Sequence, residues 1–505
     1  MVAAGGVGHE RGEGVVYVVM VASECAPVVQ AGGLGEVVYG LSRELEIRGH
    51  AVEIVLPKYD CMRYGEIYGL CVAYEHLLVP WYSGAIPCTV WFGFVHGRKC
   101  YFIEPHSPDN FFARSAVYGS DDDVTRYAFF AKAAMEFLLQ AGKRPDVIHC
   151  QDWQTALVPV LLYELYQQAG MEHQRVCLTV HNFRHQGICG EEVLWATGLQ
   201  HPERYFDDTR LRDNFDPGAL NLLKGGIVYA NFVTTVSPQH AWEVLYTDQG
   251  MGLGHTLHVH RGKFGGILNG VDYDLWNPEI DRYIPHTYSL DGLDHKYGNK
   301  HALRRRLWLG DDFKPIVAYV GRLDEQKGVH LIRHTAFYAL AQGAQFVLVG
   351  SGTSPAINEE FWRLKWQLSD HPDCHLELGY DPELAHLVYA GSDLVVMPSM
   401  YEPCGLTQLI AAKYGTVPIV RAIGGLCDTV FDHDHAGRPA HDRNGYVFHQ
   451  VDTMALESAM ARAIGLWHAY PWQFRQLMVN GMRADYSWAP AGHHYLNVYD
   501  YIRHK

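Results

Sequence analysis

The segment GRLDEQKGVHLI carries two cations, Arg322 and Lys327, just after the apolar run IVAYV and at the start of a helical pattern. Two positive side chains beside a helix N-terminus suit a diphosphate, through their charge and through the unpaired N–H groups of the first turn. The competing reading is a solvated turn in which Arg322 pairs with Asp324 or Glu325. After DLVVMPS comes MYEPCGLTQLI. There Glu402 lies in a loop, Pro403 restrains it, and Gly405 lets the backbone run close to a ligand before the next helix begins. A carboxylate so near a helix start also reads as a cap. Thr407 and Gln408 either reach the same pocket or cap the helix. TVPIVRAIGGLCDTV repeats the plan with Gly424 and Gly425, whose N–H groups can face a phosphate.

The first half offers quieter chemistry. QAGGLGE puts Gly32, Gly33 and Gly35 in a strand-to-helix turn, followed by Glu36. It is not the GxGxxG dinucleotide fingerprint, and neither is GSGTSP. HCQDW places Asp152 and Trp153 after a strand, a carboxylate and an aromatic plane of the sort that sugars use. VHNFRHQG places His181 and Asn182 after another, although a lone histidine there is more often structural than catalytic. The HExxH, GxSxG and Walker A patterns are absent, so zinc-protease, serine-hydrolase and P-loop chemistry are not indicated. His433 and His435 in DHDH are metal-friendly types, but their loop composition reads as a solvated turn. No metal ion and no cofactor is implied.

The elements that must position these residues are short β-branched runs alternating with helical segments. The pattern predicts parallel sheets covered by helices, with ligands beyond the carboxyl ends of the strands. Strands are expected at VVYVVMVA, AVEIVLP, DVIHC, VCLTVHN, FVTTVSP and GGILNGVD. A second series follows at IVAYVGR, QFVLVGSG, DLVVMPS and TVPIVRA. A helix is expected from Glu36 to Arg48, ended by Gly49. The polar stretch from Asn277 to Lys314, with a helical patch at ALRRRLWL, sets the domain junction near residue 280. The expected division is a disordered tail over 1–14, an N-terminal Rossmann-like domain over 15–280 and a C-terminal one over 281–484. The aromatics of 485–505 fall at helical spacing and are expected to return to the first domain.

A chain of 505 residues, 48% hydrophobic and 19% charged, can fill more than one core. No run approaches the ~18 apolar residues of a membrane span, and the Gly-rich start has no apolar signal region. A net charge of −15 argues against nucleic acid as a partner. The 11 cysteines are odd in number, scattered and without a CxxC pair, which points to free thiols in a reducing cytoplasm.

Taken in order, GGLGEVVYGLSRELEIRGHAVEIVLPKYD, ILNGVDYDLWNP, GRLDEQKG and PSMYEPCGLTQL resemble the bacterial and plant glycogen/starch synthase family, from about Val15 to the end of the chain. LPKYDC and HGRKCYFIEPHSPDNFF are similar to its starch synthase III/IV branch and the cyanobacterial relatives. The resemblance implies a GT-B fold, two Rossmann-like doubly wound domains facing across a cleft. It implies a retaining glucosyltransferase that adds glucose from ADP-glucose to the non-reducing end of an α-1,4-glucan. The implied partners are ADP-glucose, ADP and a glucan or malto-oligosaccharide, with no nucleic acid and no membrane, in a bacterial cytoplasm.

Residue by residue, it implies that Arg322 and Lys327 hold the donor diphosphate, that Glu402 stands near the reacting sugar, and that His181 lies against the donor glucose. Tyr380 would stack on adenine. Asn182, Asn269, Gly424, Gly425 and Leu426 would line the donor pocket with Gln30, Gly32 and Gly33. Cys404, Gly405, Leu406 and Thr407 share the donor motif, without chemistry for the Cys404 thiol. Asp152, Trp153 and Glu36 fall on the acceptor side. Three positions depart from the family pattern. Gln30 stands where a Lys is usual, Glu36 where an Asp is, and Gln151 where a His is frequent. Losing one charge-assisted hydrogen bond costs about tenfold in donor binding or rate, which predicts a tuned enzyme. Gln30 also motivates an alternative, a glucan-binding or initiation scaffold without turnover, for which Trp81, Tyr82 and Trp91 would serve if they are not core. A GT-B enzyme preferring UDP-glucose is the third reading.

Overall fold

The computed structural model describes residues 14–379 and 381–505. The tail read over 1–14 therefore lies, Gly14 apart, outside the described residues, and so does Tyr380. Packing divides the chain into two units. The first takes the chain up to Thr235, then Val244–Gly265 and Ala491–Lys505; the second takes Val236–Glu243 and Gly266–Pro490. After the short excursion over Val236–Glu243, the chain thus passes into the second unit for good at Gly266, earlier than the junction near residue 280 read from composition. The reason is backbone pairing: Val271 N–H donates to Tyr486 O at 2.7 Å, and Gly270 lies against the backbone of Ser487 and Trp488. For the same reason GGILNGVD is not one strand. Only Phe264–Gly266 is extended in a sheet, and the rest is irregular chain laid against the Tyr486–Trp488 segment.

The first unit is built on a nine-stranded sheet. In chain order its strands are β1 (Tyr17–Val21), β2 (Ala51–Pro57), β3 (Ile67–Trp81), β4 (Gly84–Val95), β5 (Arg98–Pro105), β6 (Val147–Gln151) and β7 (Arg175–Val180). A ribbon of β8 (Ile188–Cys189) and β9 (Leu220–Asn221) stands apart, and β10 (Phe232–Thr235) and β11 (Phe264–Gly266) complete the sheet. The order β11-β10-β7-β6-β1-β2-β5-β4-β3 contains six parallel strands, β10 to β5. Numbered among themselves, these run 3-2-1-4-5-6 from β5, the doubly wound arrangement. The antiparallel β3-β4-β5 edge was not read from sequence. Its turns are two residues long, Tyr82-Ser83 and His96-Gly97, with positive φ at Tyr82, His96 and Gly97. Such turns leave no room for a crossover helix and close hairpins instead. The parallel strands are nearly continuous apolar runs because both faces are covered.

The second unit carries a wholly parallel six-stranded sheet: β12 (Ile316–Val320), β13 (Gln345–Gly350), β14 (Cys374–Leu378), β15 (Leu394–Met397), β16 (Val417–Arg421) and β17 (Tyr446–Phe448). Its order β14-β13-β12-β15-β16-β17 is again 3-2-1-4-5-6. One large core cluster, with Val317, Leu348, Leu394 and Ile419 shut from solvent, holds the sheet to its helices. The polar 277–314 segment is part of this unit. Helix Lys296–Leu307 buries Lys300, whose Nζ lies 2.7 Å from Asp393 Oδ2, and the other Asp393 oxygen accepts Trp467 Nε1–H at 3.0 Å.

The C-terminal helix Trp488–Arg503 buries Tyr495, Tyr499 and Ile502. Its part from Ala491 onward belongs to the first unit, where Tyr499 Oη lies 2.8 Å from Nδ1 of the buried His149. Burial pushes the His149 imidazole down to about 3, so it stays neutral.

Candidate active site

In an open doubly wound sheet, ligands gather where the strand order reverses, outside the carboxyl ends of the two strands that flank that point. In the second unit those strands are β12 and β15. The loop after β12 carries Arg322 and Lys327, and the loop after β15 carries Ser399 and Glu402. Tertiary structure brings them together: Lys327 Nζ lies 2.5 Å from Glu402 Oε2, and Ser399 Oγ donates to the same oxygen at 2.9 Å. Glu402 is 5% exposed. It is therefore a buried, paired carboxylate and not a helix cap. Arg322 is mostly exposed and stands 3.8 Å from Asp324, the loose pairing of a surface turn; Asp324 itself caps the Lys327 N–H at 2.9 Å.

The two loops are laced by backbone. Met400 N–H donates to Gln326 O at 2.8 Å, and Arg421, at the end of β16, donates to Ser399 O and Met400 O at 2.6 and 2.8 Å. Gly328, at φ +75°, could not carry a side chain, because a Cβ would fall 2.4 Å from Pro398 O. Gly424 and Gly425 prove to be packing glycines. Their N–H groups, offered to a phosphate by the sequence reading, are used internally. That of Gly424 goes to Glu243 Oε1 at 2.9 Å, and that of Gly425 to Glu402 O and Pro403 O at 3.2 and 3.1 Å. A Cβ on Gly424 would lie 2.1 Å from Glu402 O, so the glycine pair lets this turn press on the Glu402 loop.

Leu426 is fully buried in a small apolar cluster, whereas Gly405, Leu406 and Thr407 remain partly open at the start of helix Thr407–Lys413. Gln408 is committed, its amide donating to Cys404 O and Gly405 O. Burial pushes the Cys404 thiol up to about 12, which removes it as a nucleophile. Asn269 is buried, and its Oδ1 has no hydrogen-bond partner among the described residues, an acceptor available to a ligand.

In the first unit the reversal falls between β1 and β6. After β1 the glycine turn leads into α1 (Gly33–Ile47) and is held by Glu24, which the sequence reading passed over. Its buried carboxylate accepts the N–H groups of Ala31 and Gly32 at 2.5 and 3.0 Å, while its other oxygen accepts Tyr118 Oη–H at 2.6 Å. The rule of strand carboxyl ends singles out Glu24; no local signal points to Tyr118, 94 residues away. Gln30 is exposed and donates from Nε2 to Glu36 Oε1 at 2.9 Å.

After β6, Asp152 adopts φ +59° and ψ −174°, a strained backbone for a residue with a side chain. Its Oδ1 accepts the His181 N–H at 2.6 Å and holds the turn after β7, where the Asn182 N–H also approaches at 3.4 Å. Burial pushes the Asp152 carboxyl up to about 7, against the opposing pull of these N–H groups. His181 Nε2 lies 2.8 Å from Gln151 Oε1, and burial pushes the ring down to about 3. The imidazole is therefore neutral. With an amide oxygen as partner, Nε2 carries the proton and Nδ1 is left as an acceptor. Trp153 departs from the expectation of an open stacking plane: it is 8% exposed, packed edge-on against Tyr127 and covered by Gly187.

The remaining motifs are structural. Asp432 and Asp434 of DHDH both bind Arg462 at 2.7 Å. Trp81 is core, Trp91 donates its indole N–H to Glu104 at 2.6 Å, and Tyr82 is more than half exposed. All 11 cysteines are free, and no helix among the described residues is long and apolar enough to cross a membrane.

Two families match this chain, the starch synthase catalytic domain over residues 17–259 and the glycosyl transferases group 1 over residues 305–470. Two Rossmann-like units, each with polar residues gathered at its strand reversal, define a glycosyltransferase of the GT-B class. A sucrose-phosphate synthase from Thermosynechococcus elongatus shares that fold at 20% identity and a TM-score of 0.59. Much nearer are the glycogen synthase 2 of Methylococcus capsulatus, 64% identical over 96% of this chain and 100% of the relative, and a probable glycogen synthase 2 of a Nostoc species, 62% identical over 97% and 100%. The catalytic domain of starch synthase IV from Arabidopsis thaliana, solved bound to ADP and acarbose, superposes with a TM-score of 0.94 at 42% identity, covering 97% of this chain and 100% of that one. The chain belongs to the glycogen/starch synthase family.

Proposed function

We propose that this enzyme transfers glucose from ADP-glucose, with retention, to the non-reducing end of an α-1,4-glucan. The observation that carries the reading is the contact of Lys327 Nζ with Glu402 Oε2 at 2.5 Å, at the strand reversal of the second unit. Glycosyl transfer from a nucleotide sugar builds negative charge on the departing diphosphate and positive charge on the sugar. A lysine and a carboxylate held side by side can meet both, because preorganised charges act strongest where charge develops. Arg322, only loosely tied to Asp324, has the reach and freedom to join Lys327 on the phosphates. Asn269, Gly405, Leu406, Thr407 and Tyr380 complete the donor side in this reading.

On the first unit, neutral His181 offers its backbone and ring to the donor glucose, Asn182 stands beside it, and Gln30, Gly32 and Gly33 form the glycine turn toward the donor. Asp152 acts mainly by holding the His181 turn, with Glu36 on the acceptor side. The ADP and acarbose named with the Arabidopsis structure are the nucleotide and glucan-like ligands this reading expects. Free thiols throughout suit a reducing cytoplasm.

The test is release of ADP from ADP-glucose with growth of a maltotriose primer, run beside UDP-glucose. Glu402→Gln should lower kcat by about 10²-fold, the scale of loss when one preorganised electrostatic group is removed from a reacting centre. Retained turnover in Glu402→Gln, or no turnover by the parent with either donor, refutes the assignment. Glucan binding without ADP release would instead favour a scaffold, the alternative that Gln30 suggests.

A further inference from the structure

A second concave site lies wholly within the first unit, away from the strand reversal. It is a cavity of about 270 Å³ walled by the hairpin end at Pro80 and Tyr82, by helix α2 (Asp123–Gln140), by the π-helical segment and turn that follow α3 (Leu157–Leu161), and by the end of α4 (Glu192–Thr197). None of its residues takes part in the chemistry above.

Three features mark it as built. Lys132 is only 6% exposed yet lines the cavity; its Nζ stands 3.7 Å from Glu136 Oε1, beyond hydrogen-bond length, and 4.9 Å from the centre of the Tyr166 ring. An ammonium so placed keeps donors unspent, and burial pushes its pKa down. Glu136 is held rigidly, accepting Tyr166 Oη–H on one oxygen at 2.7 Å and Gln140 Nε2–H on the other at 2.9 Å. Finally, the chain winds as a π-helix over Leu162–Tyr166, the segment that supplies Leu165 and Tyr166 to the wall. Such turns are costly and recur at functional sites.

The chemistry of the walls selects the ligand. Lys132 and Glu136 together carry no net charge, so an anion meets the carboxylate and a cation meets the ammonium. A neutral hydroxyl can accept from the first and donate to the second. The other walls are apolar, and Tyr82, 54% exposed, stands at the rim with its N–H bonded to Ala196 O at 2.9 Å. A sugar ring has this two-faced character, hydroxyls at its edge and C–H groups on its faces. The volume is below the ~300–1,000 Å³ typical of drug-sized ligands, which suits one ring and not a nucleotide.

We propose that this cavity is a second carbohydrate site, taking one pyranose ring of a neutral saccharide. It rests on the glucan reading only for the choice of saccharide. The experiment is hydrogen-exchange mass spectrometry of the full chain with maltose, and separately with inorganic phosphate. Maltose should slow exchange at least threefold in peptides from Asp123–Gln140 and Glu192–Gly198, with phosphate inert. Tyr82→Ala, a surface change, and Lys132→Met should each weaken that protection about tenfold in maltose concentration, while ADP release on maltotriose stays within twofold. No protection in the parent, protection that survives in a folded Tyr82→Ala, or protection by phosphate in place of maltose overturns the proposal. Protection without any ADP release would sink the transferase reading and leave this site standing.

Discussion

Replacing Asp152 by Asn should abolish the pH dependence of stability that this one carboxyl imposes. In the folded chain the group sits at about 7 instead of its ordinary 3.8, chiefly because it is buried. Between those pH values the folded state keeps a proton that the unfolded state has released. Its contribution is therefore whole below the unfolded value and is lost as pH rises through about 7. At ~1.4 kcal/mol per pH unit the loss reaches ~4 kcal/mol in all, of which ~2 kcal/mol falls between pH 5 and pH 7.

Asn keeps an Oδ1 acceptor for the His181 N–H and is isosteric with Asp, so the backbone has no new strain to bear beyond what Asp152 already carries. Asp152→Asn should match the parent near pH 5. Above pH 7 it should be the more stable by ~2–3 kcal/mol, after ~1 kcal/mol is conceded for the weaker acceptor. Melting followed by near-ultraviolet circular dichroism at pH 5, 6, 7 and 8 reads this directly. At ~2 °C per kcal/mol for a large domain, the gap between the two proteins should widen by about 5 °C from pH 5 to pH 7. Parallel melting curves would refute the reasoning, since they would mean that Asp152 titrates alike in both states.

Gln30→Lys alone should raise kcat/KM for ADP-glucose little, because Glu36, now bonded to the Gln30 amide, would take up the new charge; with Glu36→Asp added, the gain should approach tenfold, and equal effects of the two variants would count against this. Gly424→Ala should cut activity at least tenfold with the fold kept, because its Cβ can fit only by moving the Glu402 backbone; parent-like kinetics would show that the loop yields freely. Glu24→Gln keeps an amide oxygen for the N–H groups of Ala31 and Gly32 and turns its NH2 to Tyr118 Oη, but the acceptor is no longer charged, so it should raise KM for the donor several-fold and speed hydrogen exchange over residues 30–36, with Tyr118→Phe milder; unchanged exchange in both would remove Glu24 from its positioning role.

The parallel strands and the polar loops after them were legible because each signal is local. A fully buried parallel strand is an apolar run, and a cation, carboxylate or glycine just beyond it sits where such sheets bind ligands. Tyr319 inside IVAYV and Arg322 beyond it need no distant residue to be placed. The antiparallel β3-β4-β5 edge was less legible, since its faces are unequally covered and its residues alternate without a long apolar run. GGILNGVD misled for another reason. It is β-branched and glycine-rich like a strand, but its backbone partners, Tyr486 and Ser487, lie more than two hundred positions along the chain. Trp153 and the Gly424-Gly425 pair carry residue types that sugars and phosphates favour, yet packing spends the ring on Tyr127 and the N–H groups on Glu243 and Glu402.

From sequence alone come the residue types, their spacing along each loop and the alternation that demands two doubly wound sheets, because these depend on neighbours within a turn or two. Only the tertiary structure decides which charges meet. Lys327 and Glu402 are 75 positions apart, yet Nζ and Oε2 lie 2.5 Å from each other, and Gln151 selects the proton of a histidine 30 positions on. Such pairings follow from strand order, and strand order is settled by how whole faces bury against one another, which no local stretch of sequence records.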